Sequence, residues 1–196
     1  MWDKKRKMID GLSVIDGVII HHSTGSRCNG MSPESVFQIF NTVGFSRGYQ
    51  KYGYDFKTGY SPEHGQNYHT HNGQISYCMY HYCLYEYEPG NYVLISLIDT
   101  PMETDAGSTK DRAVNAVSIA VVFAGNYEVE NVPEPMIEYF IKLFRPKAPL
   151  SWILSKNPDA WIRGHQDIEP TACPGKYLYT HLGRINREIE SMRRRA

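Results

Sequence analysis

The chain has 196 residues, 41% hydrophobic and 21% charged, which suits one domain with a sizeable core. Its 21 Lys and Arg balance 21 Asp and Glu for a formal net charge of zero, so bulk charge gives no reason to expect nucleic acid as a partner. No stretch approaches the length of a transmembrane segment, and "VII" at 18 to 20 is too short for the apolar region of a signal peptide. The expectation is synthesis in a reducing cytoplasm without a signal peptide, with Cys28, Cys78, Cys83 and Cys173 as thiols. Positive charge gathers in "DKKRK" at 3 to 7 and "RRR" at 193 to 195, which read as solvated ends. The division expected is a basic extension over 1–13, one domain over 14–190 and a basic tail over 191–196.

In chain order, "DGVIIHHST" reads as a short buried strand running into polar residues. "MSPESVFQIFNTVGF" carries helix signals: Ser32 as cap, Pro33 in the first turn and Gly44 as the stop. Val36, Ile39, Phe40 and Val43 recur at helical spacing and predict its core face. Residues 45–74 change texture, with Tyr, Gly, His and polar residues and no period, and read as a long inserted surface loop. "ISYCMYHYCLYEYEPGNYVLISLID" predicts two strands joined at "EPGN". "AVSIAVVFAGNYE" is a strong strand, and "VPEPMIEYFIKLFRP" an amphipathic helix between prolines. "AWIRGH" predicts a strand that delivers His165 at its end, and Leu182, Ile185, Ile189 and Met192 stripe a last helix. Strands alternating with helices imply an α/β domain with a central mixed sheet flanked by helices.

"GHQDIEPTACPGKYL" at 164 to 178 sets His165 eight residues before Cys173, in a loop stiffened by Pro170 and Pro174. His nitrogen and Cys sulfur are the donors zinc favours, and a catalytic zinc site takes three protein ligands with one position open. A third ligand is expected at another strand end, and "VIIHHST" offers His21 and His22. Successive strand residues face opposite ways, so only one of the two can join the site, and parity alone does not choose. His64, His69, His71 and His81 lie in or near the insertion but have no Cys partner, which argues against a second metal site.

"VIIHHSTG", "AVSIAVVFAGNYE" and "IRGHQDIEPTACPG" together resemble the three landmark segments of the type 2 N-acetylmuramoyl-L-alanine amidases. That family includes the peptidoglycan recognition proteins and amidase-type phage lysozymes. The resemblance spans roughly residues 14 to 190. It implies a zinc hydrolase that cuts the amide between N-acetylmuramic acid and the first L-alanine of the peptidoglycan stem. It assigns the metal to His21, His165 and Cys173, and places Thr171 where a Lys or Thr steadies the developing oxyanion. It sets a catalytic Tyr at the start of the central strand, best matched by Tyr77, with Tyr49, Tyr54 and Tyr60 as rivals because the preceding loop is longer than the family's. Asp105 falls near a substrate-contacting position, Asn115 is a further cleft candidate, and Asp167 is expected to bond a ligand His or a backbone amide near it.

The expected partners are peptidoglycan or muropeptides, and the expected state is a monomer. The role that fits is a wall-lytic endolysin, made in the cytoplasm and acting on the cell wall after release. A cytoplasmic muropeptide-recycling amidase and a binding protein that does not cut are the alternatives. The aromatic and polar insertion suits a sugar-facing rim.

Overall fold

The computed structural model describes residues 8–9, 12–13, 15–25, 27–44, 46, 70–72, 74–99 and 108–194. His64, His69, Tyr49, Tyr54, Tyr60, Asp105 and almost all of the insertion lie outside them. The elements in order are β1 (Met8–Ile9), β2 (Leu12–Ser13), β3 (Gly17–His22), α1 (Pro33–Gly44), β4 (Thr70–His71), β5 (Gln74–Ile75), β6 (Tyr82–Glu88) and β7 (Asn91–Ser96). They continue with α2 (Arg112–Asn115), β8 (Ser118–Phe123), α3 (Glu134–Lys142), α4 (Ser151–Lys156), β9 (Trp161–Gly164), α5 (Lys176–Tyr179) and α6 (Leu182–Arg193).

Five strands form one sheet in the order β7-β6-β8-β3-β9. β3 runs parallel to both β8 and β9, β6 runs parallel to β8, and β7 returns antiparallel to β6, so the sheet is mixed. The β6–β7 turn falls at Pro89-Gly90, where Gly90 takes φ 76°, a conformation that favours glycine. β3 and β8 are buried along their whole length, the pattern of strands covered on both faces. This explains why their sequences are near-continuous apolar runs.

Two packed layers do the covering. One joins Val18, Ile20, Val121 and Phe123 to Ile137 and Phe140 of α3 and Ile185 and Ile189 of α6. The other joins Val122 and Ala124 to Val36, Phe37 and Phe40 of α1, with Cys28, Cys78 and Cys83 beside them. All four cysteines are free thiols. Burying an aromatic such as Phe140 contributes on the order of 2–3 kcal/mol, so these layers carry much of the stability.

α1 begins as expected: the Ser35 amide donates to Ser32 Oγ at 3.2 Å, capping the first turn. Its core face is turned from the expected one. Phe37 and Asn41 go inward with Val36 and Phe40, whereas Ile39 and Val43 are 37% and 40% exposed. The larger apolar area of Phe37 decides the rotation. Among the described residues no helix is long and apolar enough to cross a membrane.

Candidate metal centre

The site forms where parallel strands end. β3 and β9 are in register from Gly17↔Trp161 to Ile20↔Gly164, so the next residues, His21 and His165, emerge side by side. Their rings lie 4.6 Å apart at 58°. The C-terminal ends of parallel strands are where α/β sheets commonly place their sites. The choice between the two histidines follows from their neighbours. His21 is in register with Val122 and His22 with Phe123, and Val122 belongs to the α1 layer whereas Phe123 belongs to the α3–α6 layer. His21 therefore opens on the α1 side. His22 turns the other way, and its Nδ1 accepts the Tyr127 amide at 3.1 Å.

Cys173 reaches the pair on the loop after β9. The Gln166 amide donates to the Cys173 carbonyl at 2.8 Å, and the His22 amide donates to Cys173 Sγ at 3.4 Å. Gly175 anchors the loop's far side with φ 90°, so close to the Tyr127 backbone that a Cβ would sit 2.4 Å from its carbonyl carbon. Only glycine fits there. The result is a group of three donors, from His21, His165 and Cys173, all within 4.8 Å of one another. Among the described residues no other group of three His, Cys, Asp or Glu donors comes together.

The electrostatics suit a metal. Burial, reinforced by His165 and His22, holds His21 well below its ordinary pKa, so its ring is a neutral donor. Burial pushes the Cys173 thiol up to about 12, against the pull of the His22 amide. Cys173 Sγ lies 3.5 Å from His21 Nδ1, and His21 Nε2 is buried without a hydrogen-bond partner among the described residues. Two nitrogens and one sulfur in this arrangement can hold a metal ion, and the set is one donor short of a closed tetrahedral site.

The surrounding residues differ in part from expectation. Glu169 Oε1 lies 2.7 Å from His165 Nε2, and its Oε2 accepts the Lys110 amide at 3.2 Å. Asp167, expected to bond either a ligand His or a backbone amide, accepts the Gly164 backbone amide at 2.8 Å and the Tyr179 hydroxyl at 2.6 Å. Thr171 is exposed, and its Oγ1 accepts the Cys173 amide at 3.3 Å, which leaves its O–H able to donate outward. Asn115 is only 1% exposed. Its side-chain amide donates to the Thr109 carbonyl at 2.8 Å and accepts from Thr109 at 3.1 Å and 3.0 Å. It therefore stakes a loop and does not line a cleft.

Tyr77 is 2% exposed, with its amide donating to Asn41 and its carbonyl pressed against Gly44 of α1. The tyrosine that stands against the donor group is Tyr80, whose ring lies 5.0 Å from that of His21. Tyr80 was legible in principle, since "YHY" immediately precedes the apolar run of β6 and so marks the true strand mouth. Glu169 was legible too: it lies four residues after His165 on one helical turn, where side chains meet. His81 is fully buried and its Nδ1 accepts the Ala120 amide at 2.9 Å, a structural role, while the His71 ring stacks on Phe37 at 4.2 Å.

An α/β sheet with a His-His-Cys donor group at its strand ends could hold a metal ion there, and the comparisons with known proteins place the fold. No family model matches the chain, and no curated protein matches it. Solved structures do. Drosophila PGRP-LB is 16% identical, covering 93% of this chain and 88% of that one with a TM-score of 0.58. The Ph2119 endolysin from the Thermus scotoductus MAT2119 bacteriophage is 16% identical, covering 94% and 88% with a TM-score of 0.56. Human PGRP-IBETAC, solved in complex with glycosamyl muramyl pentapeptide, is 15% identical, covering 90% and 84% with a TM-score of 0.58. The chain has the fold shared by peptidoglycan recognition proteins and this phage endolysin.

Proposed function

We propose that the protein is a zinc-dependent N-acetylmuramoyl-L-alanine amidase that acts on cell-wall peptidoglycan as a lytic enzyme. The observation that carries this reading is the three-donor group of His21, His165 and Cys173. A recognition domain needs no such group, and a structural zinc site would need a fourth protein donor. The presence of an endolysin among proteins of the same fold supports the lytic role. Fold relatives solved in complex with tracheal cytotoxin and with glycosamyl muramyl pentapeptide support the substrate class.

In this reading His21, His165 and Cys173 hold the zinc. The bound ion supplies a Lewis acid for the scissile carbonyl and lowers the pKa of water towards about 7. The chain's own groups do the rest. The Tyr80 phenol, beside His21, donates a hydrogen bond to the carbonyl oxygen as negative charge develops on it. The Thr171 hydroxyl, held at the mouth of the site, donates to the same oxygen or orients the attacking water. Neutral His21 keeps its donor available without competition from a proton at neutral pH. Tyr77 is buried beside α1, and the Tyr80 ring contact with His21 supports giving the phenol role to Tyr80 in this reading.

The test is mass spectrometry of the products after zinc-loaded protein meets purified sacculi, with Cys173→Ser alongside. Free stem peptides with an N-terminal alanine, absent with the variant, are expected. Intact sacculi would refute the lytic reading. Cleavage of soluble muropeptides alone would then assign a recycling amidase, and tight binding without cleavage a recognition protein.

A further inference from the structure

Glu169 uses both carboxylate oxygens beside the donor group, and nothing in the proposed reaction uses it. Its two carboxylate oxygens are divided between two tasks. Oε1 meets His165 Nε2 at 2.7 Å, and Oε2 accepts the Lys110 amide at 3.2 Å. Both side chains of the pair are largely buried, with 12% exposure for His165 and 17% for Glu169. A bond so placed is not an exposed ion pair of negligible consequence.

The geometry has a directional result. A carboxylate is an acceptor, so it selects the His165 tautomer that carries hydrogen on Nε2 and leaves the Nδ1 lone pair for the donor group. It also fixes the ring's rotation, because the acceptor is held at both ends. The Glu169 backbone is pinned by the turn in which its amide donates to the His165 carbonyl at 3.2 Å. The carboxylate is pinned by Lys110, and the Thr109 next to it is gripped by Asn115. A ligand histidine whose second nitrogen is held by a carboxylate binds its metal more tightly, as a more basic and pre-aimed donor.

We propose that Glu169 is a positioning residue for the metal centre, which fixes the tautomer and orientation of His165 and thereby sets the affinity and geometry of the bound ion. This rests on the zinc reading of the donor group. By the same contacts, the segment 108–111 is coupled to the metal through Glu169.

The experiment measures zinc affinity by chelator competition for the native chain, Cys173→Ser, Glu169→Ala and Glu169→Gln. It adds the visible absorption spectrum of the cobalt-loaded form and a thermal melt of each metal-free protein. Glu169→Ala is expected to weaken zinc binding by about 10- to 100-fold. It should also shift the cobalt bands, with the metal-free melt close to native. Glu169→Gln, whose amide oxygen still accepts from Nε2, should recover most of the loss. A purely structural role would move the melt and leave the cobalt bands alone.

An affinity within about twofold of native for Glu169→Ala, with unshifted cobalt bands, overturns the proposal while the zinc reading stands. Absence of stoichiometric zinc in the native chain overturns the zinc reading and this proposal together. If Glu169→Ala does not fold, Glu169→Leu, which fills similar space without an acceptor, decides: weaker binding and shifted bands support the positioning role, and native values for both overturn it.

Discussion

On the zinc reading, Cys173 would make metal binding an acid–base event whose size follows from the structure. In the metal-free site burial raises its thiol to about 12, and Sγ faces His21 Nδ1 at 3.5 Å. At pH 7 the thiolate therefore lies about five pH units, or about 7 kcal/mol, above the thiol. A metal ligand must be the thiolate, so loading has to expel that proton. The sign follows. With the thiol protonated throughout pH 6.5–8.5, each unit of rising pH should tighten zinc binding by about tenfold, and each unit of falling pH should weaken it equally. His21, held well below its ordinary value, contributes no proton in this range. Titration calorimetry in buffers of different ionisation enthalpy counts the protons released. At least one per zinc is expected for the native chain, and one fewer for Cys173→Ser. A zinc Kd independent of pH, or zero protons released, would refute the assignment of Cys173 as a ligand thiol.

The two tyrosines and the two histidines separate in the same way. Tyr80→Phe should lower the rate of stem-peptide release from sacculi by about 10- to 100-fold with zinc affinity intact, less than the largest losses seen for an oxyanion donor because the metal carries most of the charge. Tyr77→Phe should leave that rate within about twofold, and equal losses for both would contradict the placement of Tyr80. His21→Ala should abolish stoichiometric zinc binding. His22→Ala should keep it while costing about 1–3 kcal/mol in a denaturant melt, because the Tyr127 amide loses its acceptor. Gly175→Ala forces a Cβ into the Tyr127 backbone at φ 90°, so a loss of at least about 2 kcal/mol is expected. A melting temperature within about 1 °C of native would show that the Cys173 loop tolerates the side chain.

The sequence by itself determined the elements and most of the donors. β3 and β8 were legible because strands buried on both faces must be apolar throughout. The β6–β7 hairpin was legible from its turn, and α3 and α6 from their apolar stripes. His165 and Cys173 were legible because a metal donor pair needs only a short loop of fixed shape. What the tertiary structure decided was direction. Alternation along a strand fixes that His21 and His22 face oppositely, but which layer each faces depends on Val122 and Phe123, roughly a hundred residues away. The same dependence turned Phe37 inward in place of Ile39, spent Asn115 on Thr109, and put Tyr80 rather than Tyr77 against His21. Period and propensity are local and relative, whereas the side that becomes core and the side that becomes site are set by which distant elements pack on each face of the sheet.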